Sequence, residues 1–251
     1  MSSIPSSASP ISQTTPPGRR VTDAPTRMFH WLLALCFAGA YLTSDSERFR
    51  ELHVVLGYSM AGLFGFRLLY GLLGPRHVRL SALGVRLRLV RPWLRSLKTT
   101  WSGPAQTSLA PHPAVNWRLG QNLVMTVSIT AILLLLPWLV LSGYAIFHEW
   151  GGEWLEELHE AAGEGLLVLV ILHICWVVLM SLVRQENQAL PMLTGRQRGV
   201  GPDLVKSNAR WLAVLVFVTL LSYWAWEWVH SPEVRSASVH ISFVNFYKAH
   251  S

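Results

Sequence analysis

The sequence predicts an all-α integral membrane protein: a four-helix bundle with a fifth transmembrane helix and a short outer tail. Three observations carry that expectation. Of 251 residues, 51% are hydrophobic and only 14% charged, and twelve are tryptophan. The apolar residues gather into five runs, about 28–44, 52–73, 121–147, 156–183 and 209–229. The basic residues gather between alternate runs. A helix needs about 20 apolar residues to cross a hydrocarbon core about 30 Å thick, so the last four runs are long enough and the first is marginal.

Net charge is +7 and the pI near 9.9, values that in a soluble protein would suggest nucleic acid. The placement of the charges excludes that partner. Arg19, Arg20 and Arg27 precede the first run against Asp23, and the segment 74–120 carries seven arginines and Lys98 with no acid. Arg184, Arg196, Arg198, Lys206 and Arg210 lie between the fourth and fifth runs against Glu186 and Asp203. All three segments share one side of a five-span topology, while Glu149, Glu153, Glu156 and Glu157 fall on the other with no base beside them. Lysine and arginine mark the cytoplasmic side. The chain is therefore expected as a multi-pass protein of the bacterial inner membrane, with its N-terminus cytoplasmic and its C-terminus periplasmic.

The organisation follows. Residues 1–20, rich in Ser, Pro and Thr, read as a disordered cytoplasmic tail, and no small-x-small cleavage site follows Arg19 and Arg20, so the first run is read as retained. Residues 21–185 form the four-helix core, including the basic cytoplasmic loop 74–120. Within that loop Leu83, Leu87, Val90, Leu94 and Leu97 recur at helical spacing between basic residues, a pattern for a helix on the anionic leaflet that Pro92 must break or restart. A solvated basic loop is the alternative. Residues 186–230 hold a cytoplasmic loop and the fifth helix, which ends in the interfacial Trp224, Trp226 and Trp228. Residues 231–251 form a periplasmic tail whose Val239, Ile241 and Phe243 alternate like a strand. Cys36 and Cys175 fall inside spans, as small packing residues.

The chemistry is expected from four histidines. His159 and His173 are fourteen residues apart on one apolar run, so they leave nearly the same helix face about 21 Å apart along the axis. His30 and His53 begin the first two runs, which lie antiparallel, so their starts are on opposite faces of the membrane. His30 then meets His173 near the inner surface, and His53 meets His159 near the outer one. Ionisable groups within spans are costly and suggest function by default. Imidazoles from two helices can hold a haem iron between them, so the spacing predicts two haem b groups with these four histidines as axial ligands.

Gly57 and Gly163 each follow a candidate ligand by four residues, leaving a bare helix face on which a flat macrocycle can lie; ordinary close helix packing explains them equally. Arg27 and Arg67 lie at the depth where haem propionates need a donor, and snorkelling is the rival reading. Glu160 and Glu164 are read as favouring a helix N-terminus. No other histidine has a partner matched by spacing.

The segments RMFHW (27–31), ELHVVLGY (51–58) with FRLLY (66–70), HPAVNWRLGQNLVM (112–125) with LSGY (141–144), and ELHEAAGEGLLVLVILH (157–173) resemble the four-helix bacterial cytochrome b-561 family. That family includes the b-type subunits of nickel-iron hydrogenases and thiosulfate reductases and the membrane superoxide oxidase. The resemblance spans about residues 21–185 and implies a diheme electron carrier linked to ubiquinone or menaquinone, with His30, His53, His159 and His173 as the matching ligands.

The leading expectation is an electron-transfer subunit of a respiratory, quinone-linked oxidoreductase. Its partner is then a periplasmic redox protein such as a c-type cytochrome or a dehydrogenase or reductase subunit. Superoxide oxidation at the outer haem is an alternative that the glutamate-rich outer loop disfavours, since anions gain from positive steering. A transporter with a histidine relay is another, although no inverted repeat or broken helix supports it.

Overall fold

The computed structural model describes residues 18–102, 116–199 and 201–231. The tail readings at 1–17 and 232–251, together with His112, His240 and His250, lie outside the described residues. Within them the chain is mostly helical. A two-residue strand β1 (Arg19–Arg20) leads into α1 (Ala24–Thr43), and a single helical turn then enters α2 (Arg50–Leu73). The basic loop holds α3 (Ser81–Arg88) and α4 (Val90–Ser102). The long helices α5 (Trp117–Phe147) and α6 (Glu153–Arg184) follow, then the short α7 (Leu190–Thr194), β2 (Arg196–Gln197) and α8 (Arg210–His230).

Four helices, those containing α2, α5, α6 and α8, are long and apolar enough to cross a membrane. The marginal first run does form a helix, α1, but α1 is not among those four, because Arg27, His30 and Trp31 occupy its first turns. Most large apolar side chains of the long helices point outward, among them Leu134, Leu141, Leu172 and Leu215. In water such an exposed area would aggregate; in a bilayer it is solvated by acyl chains. The protein is a multi-pass membrane protein.

The buried core is narrow. Phe29, Leu32, Cys36, Phe37 and Ala40 form one stripe along α1, at the i, i+3, i+7, i+8 and i+11 positions of a single helix face. They pack on Leu56, Met60 and Leu63 of α2, with α5, α6 and α8 closing the cluster. Both cysteines are free; Cys36, 1% exposed, packs in the core as expected, whereas Cys175 is exposed on the outside of α6 and does not fill a packing position.

The three basic segments meet at one end of the bundle. β1 pairs antiparallel with β2, Arg19 opposite Gln197 and Arg20 opposite Arg196. The Gly195 carbonyl accepts from the Val21 and Thr22 amides at 2.9 and 3.2 Å. Gly195 has φ +79°, and a Cβ there would come within 2.8 Å of the Thr22 carbonyl oxygen, so only glycine makes this turn cheaply. The Arg20 amide donates to Asp203 at 2.6 Å. At this same end, where α5 begins and α6 finishes, the Arg184 guanidinium donates to Gln121 at 2.7 Å. In the basic loop the helix restarts at Val90, which places Pro92 in the first turn of α4, where its missing N–H costs no helical bond. The aromatic ring of Trp93 packs against α5 where Gly120 offers no side chain.

Asp23 ties this end together. It caps α1 by accepting from the Thr26 amide at 3.1 Å. The same carboxylate accepts from the Tyr70 hydroxyl of α2 at 2.6 Å and pairs with His77 Nε2 at 2.9 Å. It is wholly buried. Burial alone pushes its pKa up, but the hydrogen bonds from Thr26, Tyr70 and His77 outweigh that and hold it below the ordinary value.

Asp23→Asn should therefore lower stability by about 2–4 kcal/mol, the cost of a weakened cap and a lost charge-assisted network, read as a fall in thermal midpoint. Because the folded pKa lies below the unfolded one, this contribution is present above about pH 4 and is lost as pH falls through the folded value. The acid limb of a stability-against-pH curve should accordingly be shallower in Asp23→Asn than in the parent chain.

Candidate functional site

The structure brings His53 and His159 together at one end of the bundle, away from Asp23. Their ring centroids are 6.1 Å apart and the rings are nearly perpendicular, at 74°. Each Nδ1 is already engaged. His53 Nδ1 donates to the Ala40 carbonyl at 2.8 Å, one of the last four carbonyls of α1, which has no backbone amide left to it in its own helix and also accepts from the Thr43 hydroxyl at 3.1 Å. His159 Nδ1 donates to the Leu139 carbonyl of α5 at 3.0 Å, with the Ser142 hydroxyl at 3.2 Å. A carbonyl only accepts, so Nδ1 carries the proton and Nε2 keeps a lone pair. A metal-ligating histidine needs this arrangement.

Gly143 is a feature the sequence reading did not single out. A Cβ at that position would approach His159 Cε1 to 2.8 Å. The ring of His159 therefore lies against α5 because residue 143 has no side chain. Gly57, by contrast, has nothing within 4 Å of a Cβ position, and at Gly163 the nearest atom is Leu139 Cδ1 at 3.7 Å. The bare face after His53 is open space, whereas that after His159 is in ordinary packing contact.

His30 and His173 lie on α1 and α6, near enough to interact electrostatically. Both Nδ1 atoms are buried and have no hydrogen-bond partner. A buried imidazole nitrogen without a partner costs about 1–3 kcal/mol, so this pair holds bonding capacity that the protein leaves unused. His159 and His173 are fourteen residues apart on α6, which separates the two pairs by about 21 Å along that helix.

The remaining described histidines have local partners. His77 binds Asp23. His148 stacks on Tyr144 at 4.2 Å, and its Nδ1 donates to the Tyr144 carbonyl at 2.9 Å. His230 stacks on Trp226 at 3.9 Å. Glu160 and Glu164 are exposed on α6. Arg27 Nη1 donates to the Leu193 carbonyl at 2.9 Å and Arg67 Nη1 to the Val78 carbonyl at 3.1 Å. Among the described residues no group of three or more His, Cys, Asp or Glu could hold a metal ion by itself.

The donor set fits a haem. Two imidazoles from different helices face each other, and a gap of 6.1 Å between ring centroids admits one metal atom when each metal–imidazole bond is about 2 Å. The remaining ligands would come from the haem itself, since among the described residues no third protein ligand is grouped with the pair. Apolar helices carrying paired imidazoles at bilayer depth define a class: membrane b-type cytochromes that carry electrons. The chain belongs to the prokaryotic cytochrome b561 family, whose model matches residues 21–195, well over half of its length. That family binds haem b. Among curated proteins and among solved structures, no match is found.

Gly143→Ala tests the outer pair. The added methyl must displace the His159 ring, so haem b per protein should fall in the purified variant even though Ala favours the helix by about 1 kcal/mol. Pyridine haemochrome absorbance measures it, and Gly65→Ala, which adds a methyl into open space, serves as the control that should keep its haem.

Proposed function

We infer that this chain is a diheme cytochrome b of the bacterial inner membrane, passing electrons between the quinone pool and a periplasmic redox protein. The observation that carries the reading is the pair of histidine pairs: His53 with His159 at one end, and His30 with His173 about 21 Å deeper. Each pair would hold one haem b through its iron. Haem, when bound, supplies one-electron chemistry; the chain's own residues orient it and keep water away.

The residues divide that work. The carbonyls of Ala40 and Leu139 fix the tautomer and aim of His53 and His159, and raise the basicity of the ligating nitrogen. Hydrogen bonding and burial of this kind are the protein's levers on reduction potential. The open space beside Gly57 leaves room for the macrocycle, and Gly163 keeps the same face of α6 free of bulk. Arg27 and Arg67 each spend an N–H on a carbonyl, and a guanidinium has five, so donors remain for propionates. Arg27 Nε in particular is buried without a partner.

Orientation follows from charge. The end formed by β1, the loop 74–88 and the loop 186–209 carries the arginines, and the positive-inside rule makes it cytoplasmic. The end with His53 and His159 then faces the periplasm, where Glu149, Glu153, Glu156 and Glu157 offer a negative surface to a basic partner such as a c-type cytochrome. In this topology α1 crosses as well, since it runs beside α2 and α8 between the same two ends.

The purified protein should give a haem-to-protein ratio near two by pyridine haemochrome. His30→Ala and His53→Ala should each abolish a different component of a potentiometric titration of the b-type band. Loss of the same component from both variants would overturn the pairing, and no b-type band would overturn the haem reading itself.

A further inference from the structure

A cavity of about 570 Å³ lies between α2 and α8, within the volume range of small-molecule sites. It is an elongated groove whose two walls run antiparallel. From Leu212 to Glu227 it extends fifteen residues along α8, about 22 Å. Most of that length is apolar, lined by Leu63 and Phe66 of α2 and Leu212 and Leu215 of α8. The polar groups are concentrated at the other end, where Tyr58, Tyr223 and Glu227 converge, with the Glu227 carboxylate within electrostatic reach of both phenols. Trp224 Nε1 donates to the Ser59 hydroxyl at 2.8 Å and fastens the two walls beside this polar end.

We propose that this groove is the quinone–quinol site, with the ring at Tyr58, Tyr223 and Glu227 and the isoprenoid tail along Leu63, Phe66 and Leu215. This rests on the quinone-linked reading above and places it on named residues. The chemistry of the lining selects the occupant. A phospholipid phosphate needs a cation, and the lining holds no Lys, Arg or His. A carboxylate there repels it. A quinone ring needs hydrogen-bond donors for its two carbonyl oxygens, which two phenols supply, and a quinol needs acceptors for its hydroxyl protons, which Glu227 supplies. The groove is long, apolar and open to lipid, as a polyisoprenoid tail requires.

The placement also suits electron exchange. Tyr58 follows His53 by five residues on α2, about 7.5 Å along the axis, so the ring lies within about one and a half helical turns of the depth of the outer histidine pair. Oxidation of one quinol breaks two O–H bonds and releases two electrons and two protons. A haem b held by His53 and His159 would accept those electrons one at a time, and Glu227 would take the protons toward the outer aqueous phase; reduction of a quinone reverses each transfer. Half of this site comes from α8, which lies beyond the residues matched by the family model.

The test uses the full chain in phosphatidylcholine nanodiscs. Decylubiquinone, titrated calorimetrically, should saturate one site, and an azido-quinone should label peptides 58–66 and 212–227. Gly62 lines the cavity and has nothing within 4 Å of a Cβ position, so Gly62→Leu fills the groove without disturbing packing. It should weaken binding by about tenfold or more with the thermal midpoint unchanged. Glu227→Gln should keep binding within about threefold and slow quinol-driven reduction of the b-type band by about tenfold or more. Labelling confined to other helices, undiminished binding in Gly62→Leu, or a phospholipid that quinone does not displace would overturn the proposal. Binding calorimetry needs no haem, so a saturating titration in a preparation without two haems would sink the diheme reading and leave this site standing.

Discussion

Hydrocarbon offers a side-chain nitrogen no hydrogen bond, and that constraint decides what the histidines of this chain do. An imidazole has two nitrogens to satisfy. At the end away from Asp23 one nitrogen of each ring is satisfied by a backbone carbonyl that helix geometry happens to leave accessible: Ala40 at the fraying end of α1, and Leu139 beside the bare surface at Gly143. The second nitrogen is thereby aimed into the gap between α2 and α6. At the deeper end no carbonyl is within reach, and the Nδ1 atoms of His30 and His173 have no partner at all. Each such deficit is costly, and an occupant that removes both fits this pair. The two pairs therefore differ in how much of their orientation the protein imposes, and the pair with fixed tautomers is the one whose electronic environment the polypeptide controls more directly.

At the basic end of the bundle the same need for partners produces structure of a different kind. Asp23 gathers a helix cap, a phenol and an imidazole, so one carboxylate fixes the start of α1, the end of α2 and the loop after it. Arg67 on α2 reaches the Val78 carbonyl in that loop and lies near Asp23. The β1–β2 ribbon and the Asp203 contact to the Arg20 amide then bring the loop before α8 to the same place. The depth of His30 follows from this, because α1 is registered against the bundle at its capped end and His30 is seven residues beyond Asp23. The aqueous end sets the height of the deeper imidazole.

Much of this was legible in the sequence because it depends on period and sign. The fourteen-residue spacing on α6, the alternation of helix direction and the segregation of arginines are one-dimensional facts, and the meeting of His53 with His159 follows from them. What was not legible depends on tertiary approach. Gly143 reads as one glycine among eighteen until the His159 ring is placed against it. Asp23 reads as an acid amid arginines, yet its partners are Tyr70 and His77, forty-seven and fifty-four residues away. The tryptophans of α8 read as one interfacial belt, whereas Trp226 and Trp228 face outward and Trp224 turns inward to Ser59. The first run, marginal by length, forms α1 but falls short of the apolarity of a crossing, since the residues that make it useful, Arg27 and His30, are those that lower its hydropathy.

That trade explains what α8 contributes to the bundle. A helix diluted by Arg27 and His30 gains less from lipid than its neighbours do, and needs protein contact to hold its place. α1 packs on α2 along one face and on α8 along another, and Leu220 of α8 enters the same core as Phe29 and Leu32. α8 shields α1 from lipid by packing directly on it, and meets α2 more lightly. Two cylinders held apart by a third cannot close against each other along their whole length. The Trp224–Ser59 bond fixes the walls at one level, while the glycine at 62 removes the side chain that would have filled the space below it. The groove between α2 and α8 is thus a geometric consequence of sheltering α1, and the polar groups at its one end are what suit it to the quinone ring proposed there.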